Sequence, residues 1–262
     1  MESRENVAKI QSVLRAANIL KCFTAGSSLG VTEIAERVGL HKSTAFGIIS
    51  TLVHCGFLQQ NPETGKYSVG VELFRLGQLY DMDLRRLIRP YLDSLVGEFQ
   101  ETANYVIPSG ANILYIEKIE SPHSMRISTA RGKQLPMYCT GAGKAILAYL
   151  PPQKQEELLK TIDLQPLTDR TITSRETLVR DLKQVRTRGY AVDNGEMEFG
   201  LFCVAVPVFD RDSSPCGAVS VSGPVIRMTD EIQEKISRRL TEYAADISSL
   251  LAELDPGSYD NG

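Results

Sequence analysis

Apolar residues recur at helical spacing through the first third of the chain and then give way to runs and alternations, so two architectures follow one another. Val13, Leu14, Ala17, Ile19, Leu20 and Phe23 predict an amphipathic helix, and the Gly- and Ser-rich stretch 24–30 predicts a loop leading to Thr32 as an N-cap. Between residues 32 and 57, Ile34, Ala35 and Val38 share a helix face, Gly39 supplies a turn, and Leu40 plugs the angle to a second helix. That second helix opens on His41, Lys42, Ser43 and Thr44 while Ile48, Ile49, Leu52 and Val53 turn inward. This is the pattern of a helix-turn-helix, whose second helix offers polar first-turn side chains to a DNA groove. Segments 57–60 and 66–69 predict two short strands around a turn at 61–65, the wing of a winged helix.

From residue 71 to 99 the helical period continues through Leu73, Phe74, Leu76, Leu79 and Tyr80, then Leu84, Leu87, Ile88, Tyr91, Leu92, Leu95, Val96 and Phe99. Pro90 lacks an N–H and strains the residue before it, which predicts a break near Arg89, a second helix opening at Pro90, and a domain boundary there. Beyond Glu101 the pattern predicts strands at 104–107, 113–119 and 126–129, then a helix at 140–149 ended by Pro151 and Pro152. Thr173 and Glu176 predict a capping box for another helix, with Gly189 just past its end. Strands follow at 201–209 and 218–221 around a polar turn at 210–215, and a last helix runs from about 230 to 254. Strands grouped, then helices, then strands predict an α+β fold with an antiparallel sheet flanked by helices. The expected order is a winged helix-turn-helix over 1–70, a linker helix over 71–89, a second domain over 90–255, and a disordered polar tail over 256–262.

Composition narrows the function. A net charge of −3 and a pI of about 5.7 exclude a protein that coats nucleic acid indiscriminately. Eight basic residues against six acidic ones in the first 80 positions give a slight local excess, with Lys66 on the wing placed to meet a backbone phosphate. Five cysteines, odd in number and without CxxC spacing, predict reduced thiols and neither a disulfide framework nor a metal site. The start MESRENVAKIQ has no apolar leader core and no run is long enough to span a bilayer, so a cytoplasmic location is expected.

The most chemically loaded stretch is 135–144, where an apolar approach meets small residues at a helix start. Gly141 and Ala142 leave the first backbone amides open, so a carboxylate can lie against them and the positive end of the helix dipole. A phosphate loop is excluded, because Tyr138 stands where a glycine is needed and Ala145 where a Ser or Thr would hold magnesium. Ser220 and Ser222 point the same way by the period of two, giving two hydroxyls on one sheet face. The rival reading is a small-molecule enzyme with a vestigial N-terminal module, using Cys203, Asp193 and Lys144; its weakness is that His123 is the one histidine of this region and stands beside a turn proline.

Taken together, the winged helix-turn-helix, the connecting helix, LPMYCTGAGKAILA (135–148), RGYAVDNGE (188–196) and GLFCVAVPVFDRDSSPCGAVSVSGP (200–224) closely resemble the IclR-type bacterial transcriptional regulators, over residues 13–254. The resemblance implies a GAF-like effector domain after the winged helix, a homodimer or tetramer, operator DNA as one partner, and a small carboxylic or aromatic acid as another. It implies no enzymatic activity and no cofactor, with RNA polymerase as a further candidate partner. Carried over by position, the effector residues are Gly141 and Ala142 for the carboxylate, Asp193 and Cys203 for polar contacts, and Ser220 and Ser222 for hydroxyl contacts. Apolar walls would come from Ile127, Leu135 and Leu201. Two departures stand out: Gly47 occupies a position commonly basic in the family's recognition helix, and His41 a capping position that is usually Ser or Thr. The expectation is a ligand-responsive regulator of a catabolic operon, with His41, Lys42, Ser43, Thr44 and Lys66 toward DNA.

Overall fold

The computed structural model describes residues 10–23 and 27–253, so the tail expected at 256–262 lies outside the described residues. The chain divides into two units between Met82 and Asp83.

In the first unit, α1 (Gln11–Lys21), α2 (Val31–Arg37) and α3 (Lys42–His54) bury Ile19, Ile34, Ala35, Ala45, Ile49 and Leu52 in one small core. The hairpin of β1 (Leu58–Gln60) and β2 (Tyr67–Val69) closes it with Leu58 and Tyr67, and a bridge from Leu29 to Tyr67 ties the wing back to the loop before α2. Gly39, at φ 64°, makes the turn between α2 and α3 in a backbone region that side chains rarely tolerate. Thr32 is not the N-cap: the Glu33 carboxylate accepts from the Gly30 N–H at 2.7 Å, so the helix begins at Val31 with Gly30 as its cap.

Helix α4 (Val71–Phe99) runs through Pro90 without a break. An interior proline costs ~3 kcal/mol, but Ile88, Leu92 and Leu95 are fully buried on either side of it, at ~1.5–3 kcal/mol each. Pro90 itself is exposed, so water can satisfy the carbonyl it leaves without a partner. The same three side chains belong to the core of the second unit, which is why the division falls before Asp83 and not at Arg89.

The second unit is built on a six-stranded antiparallel sheet in the order β5-β4-β3-β8-β7-β6. Its strands are β3 (Thr102–Ser109), β4 (Asn112–Ile119), β5 (Gln134–Pro136), β6 (Ala191–Asn194), β7 (Leu201–Phe209) and β8 (Pro215–Pro224). One face packs on α4 and α8 (Asp230–Glu253) through Phe202, Val204, Val206, Val219 and Val221. The other packs on α5 (Gly141–Tyr149), α6 (Pro152–Thr161) and α7 (Arg175–Arg188) through Cys203, Ala205, Ala218 and the buried stripe of α5. Helices thus cover both faces, and strict alternation along β7 and β8 sorts each side chain to one layer.

Two local expectations are corrected here, and one helix is added. The strand expected at 126–129 does not form, since these residues join no ladder, and the edge strand is β5 instead. Helix α5 ends at Tyr149 ahead of Pro151 and Pro152, as expected, and Pro152 then opens the further helix α6, where proline's missing N–H costs nothing. Ser174, not Thr173, caps α7, accepting from the Thr177 N–H at 3.4 Å while Glu176 sits in the first turn.

Candidate functional site

Two surfaces carry chemistry, one in each unit. On the first, His41, Lys42, Ser43 and Thr44 are all exposed at the start of α3. His41 is the N-cap residue, yet its ring spends itself on Ser43, with Nδ1 2.9 Å from Oγ. Lys66 on the wing is half exposed with its Nζ 3.9 Å from the Glu33 carboxylate, so part of its charge already faces an acid. The Gly30 N–H first, and Lys66 second, hold Glu33 below the usual carboxylate range. Gly47 lies on the outward face with open space where a Cβ would stand.

On the second, strand register builds a polar row. Asp193 on β6 pairs with Cys203 on β7, Cys203 with Ser222 on β8, and Ser222 with Thr102 on β3. The start of α5 lies directly over this row: a Cβ added to Gly141 would stand 3.1 Å from Cys203 Sγ and 3.4 Å from the Asp193 nitrogen. Thr140 caps the helix by accepting from the Gly143 N–H at 3.2 Å. Gly143 is required, because a Cβ there would come within 2.4 Å of Met137 backbone.

Between helix start and sheet is a cavity of about 50 Å³. Gly141, Ala142, Asp193, Cys203 and Ser222 line it, with Ile127, Leu135 and Leu201 as apolar walls. Ser220 does not line it; its hydroxyl is buried one pair further along β8, facing the Asn104 amide at 3.4 Å. Asn104 is the residue that sequence reasoning missed. It lines the cavity, its amide reaches Ser220 and Ser222, and its buried Oδ1 has no hydrogen-bond partner among the described residues. Its signal was present in β3, where a polar residue alternates with Ala103 and Tyr105 opposite the Ser220 row. Lys133 stands exposed at the rim, and Ser128 and Thr129 form one side.

Burial sets the protonation states. Desolvation lifts Asp193 to about 7, against hydrogen bonds from the Glu196 and Met197 N–H groups, with the neighbouring Glu196 charge raising it further. Desolvation likewise pushes the Cys203 thiol to about 12, so it is neutral near pH 7 and a poor nucleophile. Lys144, 1% exposed, is held 2.5 Å from Glu196 and 3.0 Å from Asp181. The rival catalytic trio therefore consists of a neutral thiol, a proton-holding carboxyl and an ion-paired lysine.

Comparison with known proteins decides the class. Residues 12–62 match the IclR helix-turn-helix domain and residues 77–249 match the bacterial transcriptional regulator IclR C-terminal domain. The chain belongs to the IclR family. The regulator KdgR of Escherichia coli K12 is 36% identical to it over 238 residues, covering 90% of this chain and 88% of that protein. The transcriptional repressor IclR of the same organism is 34% identical over 242 residues, covering 90% and 86%. Among solved structures, the Thermotoga maritima IclR is 32% identical, covers 93% of this chain and all of its own, and superposes with a TM-score of 0.69. These IclR-family relatives are transcriptional regulators and not enzymes, and the helix-turn-helix unit of such regulators binds operator DNA. No helix among the described residues is long and apolar enough to cross a membrane.

Proposed function

We propose that this IclR-family regulator is a cytoplasmic protein that binds a two-fold operator of a catabolic operon as a dimer or tetramer, and that a small organic acid in the α5 cavity sets its operator affinity. The observation that carries the reading is the cavity itself. Open helix-start amides face a polar row of Asp193, Cys203 and Ser222 across apolar walls, a lining suited to one carboxylate and one short polar end. At about 50 Å³ it is well short of the ~150 Å³ that accommodates benzene, which favours a short aliphatic acid over an aromatic one.

A route for the signal runs through one buried carboxylate. The segment that lines the cavity through Thr129 continues to Arg131, which with Arg85 of α4 converges on the carboxylate of Glu117. Burial pushes Glu117 up, but the Lys118 N–H and the two arginines outweigh it and hold it ionised. The linker helix thereby senses the cavity wall, and RNA polymerase would be affected only through occupancy of the operator.

The deciding experiment is a gel shift with the fragment upstream of the protein's own coding region, titrated with short organic acids. Specific retardation that an acid releases or strengthens supports the reading; turnover of an acid with no DNA retention overturns it. Lys42→Ala is expected to weaken binding to all sequences alike and to lower the salt slope by about 1, whereas Ser43→Ala and Thr44→Ala shift base preference. If the triple variant binds as the parent does, α3 is not the reading helix. Light scattering at micromolar concentration is expected to give at least a dimer mass, and a monomer alone would contradict the two-fold operator.

The acid's affinity is expected to depend on pH with a defined sign. A carboxylate in the cavity is repelled by ionised Asp193 and tolerated by the protonated form. Because Asp193 holds its proton up to about pH 7, affinity should fall as pH rises through that value, by at most about tenfold per pH unit. Asp193→Asn should flatten the profile in calorimetry between pH 6 and 8; an equally steep profile would remove Asp193 from the site.

A further inference from the structure

The outward face of α3 holds one feature that the polar first turn does not explain. Ala45, Ile49 and Leu52 face the core, while Ser43, Phe46, Gly47 and Ser50 lie on the opposite, exposed side. Phe46 is 53% exposed, although a buried neighbour position lies one residue before it. A single exposed aromatic is ordinary on a protein surface. Its setting here is not, because on that face it stands among Ser43, Gly47 and Ser50, with the exposed Lys42 one turn before it. Open space surrounds the missing Cβ of Gly47, so the ring stands proud of a flat helix surface. Phe46 is also the fifth residue of α3, within the half of a recognition helix that reaches base edges.

A phenyl ring has no hydrogen bond to offer a base. The one apolar group that a base pair presents in the major groove is the thymine C5 methyl. We propose that Phe46 is a specificity-determining residue that reads a thymine methyl in each operator half-site, with Ser43, Gly47 and Ser50 small so that the ring can reach the groove floor. The inference rests on the operator-binding reading above. It also gives Gly47 a purpose: with no side chain there, nothing beside the ring competes with it for the groove, at the loss of one possible phosphate contact.

The test uses the full chain and duplexes that it enriches from a random DNA pool. Each thymine of the enriched site is replaced in turn by uracil, which keeps the pairing and removes only the methyl. At one thymine per half-site, uracil is expected to lower the parent's affinity about fourfold, and about fifteenfold when both half-sites carry it. Phe46→Ala, an exposed change to a better helix former, should bind more weakly and lose its sensitivity to those same replacements, while Phe46→Leu retains part of it. Failure to enrich any sequence would overturn the operator-binding reading and this inference with it. An enriched site at which every uracil is neutral, or at which Phe46→Ala keeps the parent's sensitivity, overturns the role of Phe46 and leaves the regulator standing. A Phe46→Ala variant that changes mass in light scattering while keeping the methyl response assigns the ring to self-association instead.

Discussion

Replacing Lys144 by methionine is expected to destabilise the effector domain by ~3–5 kcal/mol, the cost of leaving buried charges without their partner. The lysine is 1% exposed, and its Nζ sits between Glu196 on the loop after β6 and Asp181 on α7. Glu196 Oε2 already lacks a hydrogen-bond partner, and Asp181 Oδ2 meets the lysine as an ionic contact without hydrogen-bond alignment. Methionine matches the stem of lysine in length, so the change removes the charge with little change in packing. The buried Glu196 and the partly buried Asp181 would then be left together, each raising the other's affinity for a proton. The sign of the pH dependence follows. Burial first, and Asp181 next, already raise Glu196 above its usual value, and Lys144 opposes them. Without Lys144 the folded-state value rises further, so the folded protein holds protons that the unfolded chain releases, and stability falls as pH climbs from about 4.5 toward the folded value. Urea unfolding of the variant should therefore improve markedly on going from pH 8 to pH 5, and Lys144→Met paired with Glu196→Gln should recover part of the loss. A variant that unfolds at the parent's urea concentration at both pH values would show that the trio contributes nothing.

The parts of this fold that could be read from sequence are those in which one local rule acts alone. The strand at 201–209 has the limits expected of it, because nine uninterrupted residues between Gly200 and a polar turn admit no helix-length alternative. The helix-turn-helix was equally legible, since Gly39 and the two apolar stripes around it agree. Errors arose where tertiary burial overrode a local rule. Pro90 is a helix breaker by its own chemistry, but three fully buried neighbours outweigh it. Helix α5 does stop at Tyr149 ahead of Pro151 and Pro152, as expected, and what the pattern did not announce is the helix α6 that Pro152 opens. Of the cavity, the helix start and the serine alternation were visible, because both follow from backbone geometry. Asn104 was not, since its place depends on β3 pairing with β8 across 116 residues of sequence. The same holds for Ser220, which shares the face of Ser222 but lies beneath Asn104 and not on the cavity.

Ala142→Leu is expected to abolish binding of the acid, while Ser222→Ala only weakens it. Ala142 is 3% exposed and lines the cavity at the second residue of α5, so three added carbons have nowhere to go but into about 50 Å³ of space. A filled cavity excludes the carboxylate from the helix-start amides altogether, whereas losing one hydroxyl removes one hydrogen bond, about 0.5–1.5 kcal/mol or up to about 3 if its partner is charged. In affinity that is a loss of about two- to tenfold for a neutral partner. Asn104→Leu is informative alongside them, because Asn104 Oδ1 is the one cavity-lining side-chain atom that is buried without a partner among the described residues. Its removal should cost little stability and much of the discrimination between acids that differ at the end away from the carboxylate. Calorimetry with an acid found by thermal-shift screening measures all three. Each variant should still retard the operator fragment in the absence of acid, because the helices of the first unit keep a separate core. Loss of DNA binding together with loss of the acid response would mean that Ala142→Leu had damaged the fold, and Ser222→Ala with Asn104→Leu then carry the decision. Unchanged affinity in those two would place the acid elsewhere and leave the α5 cavity as packing.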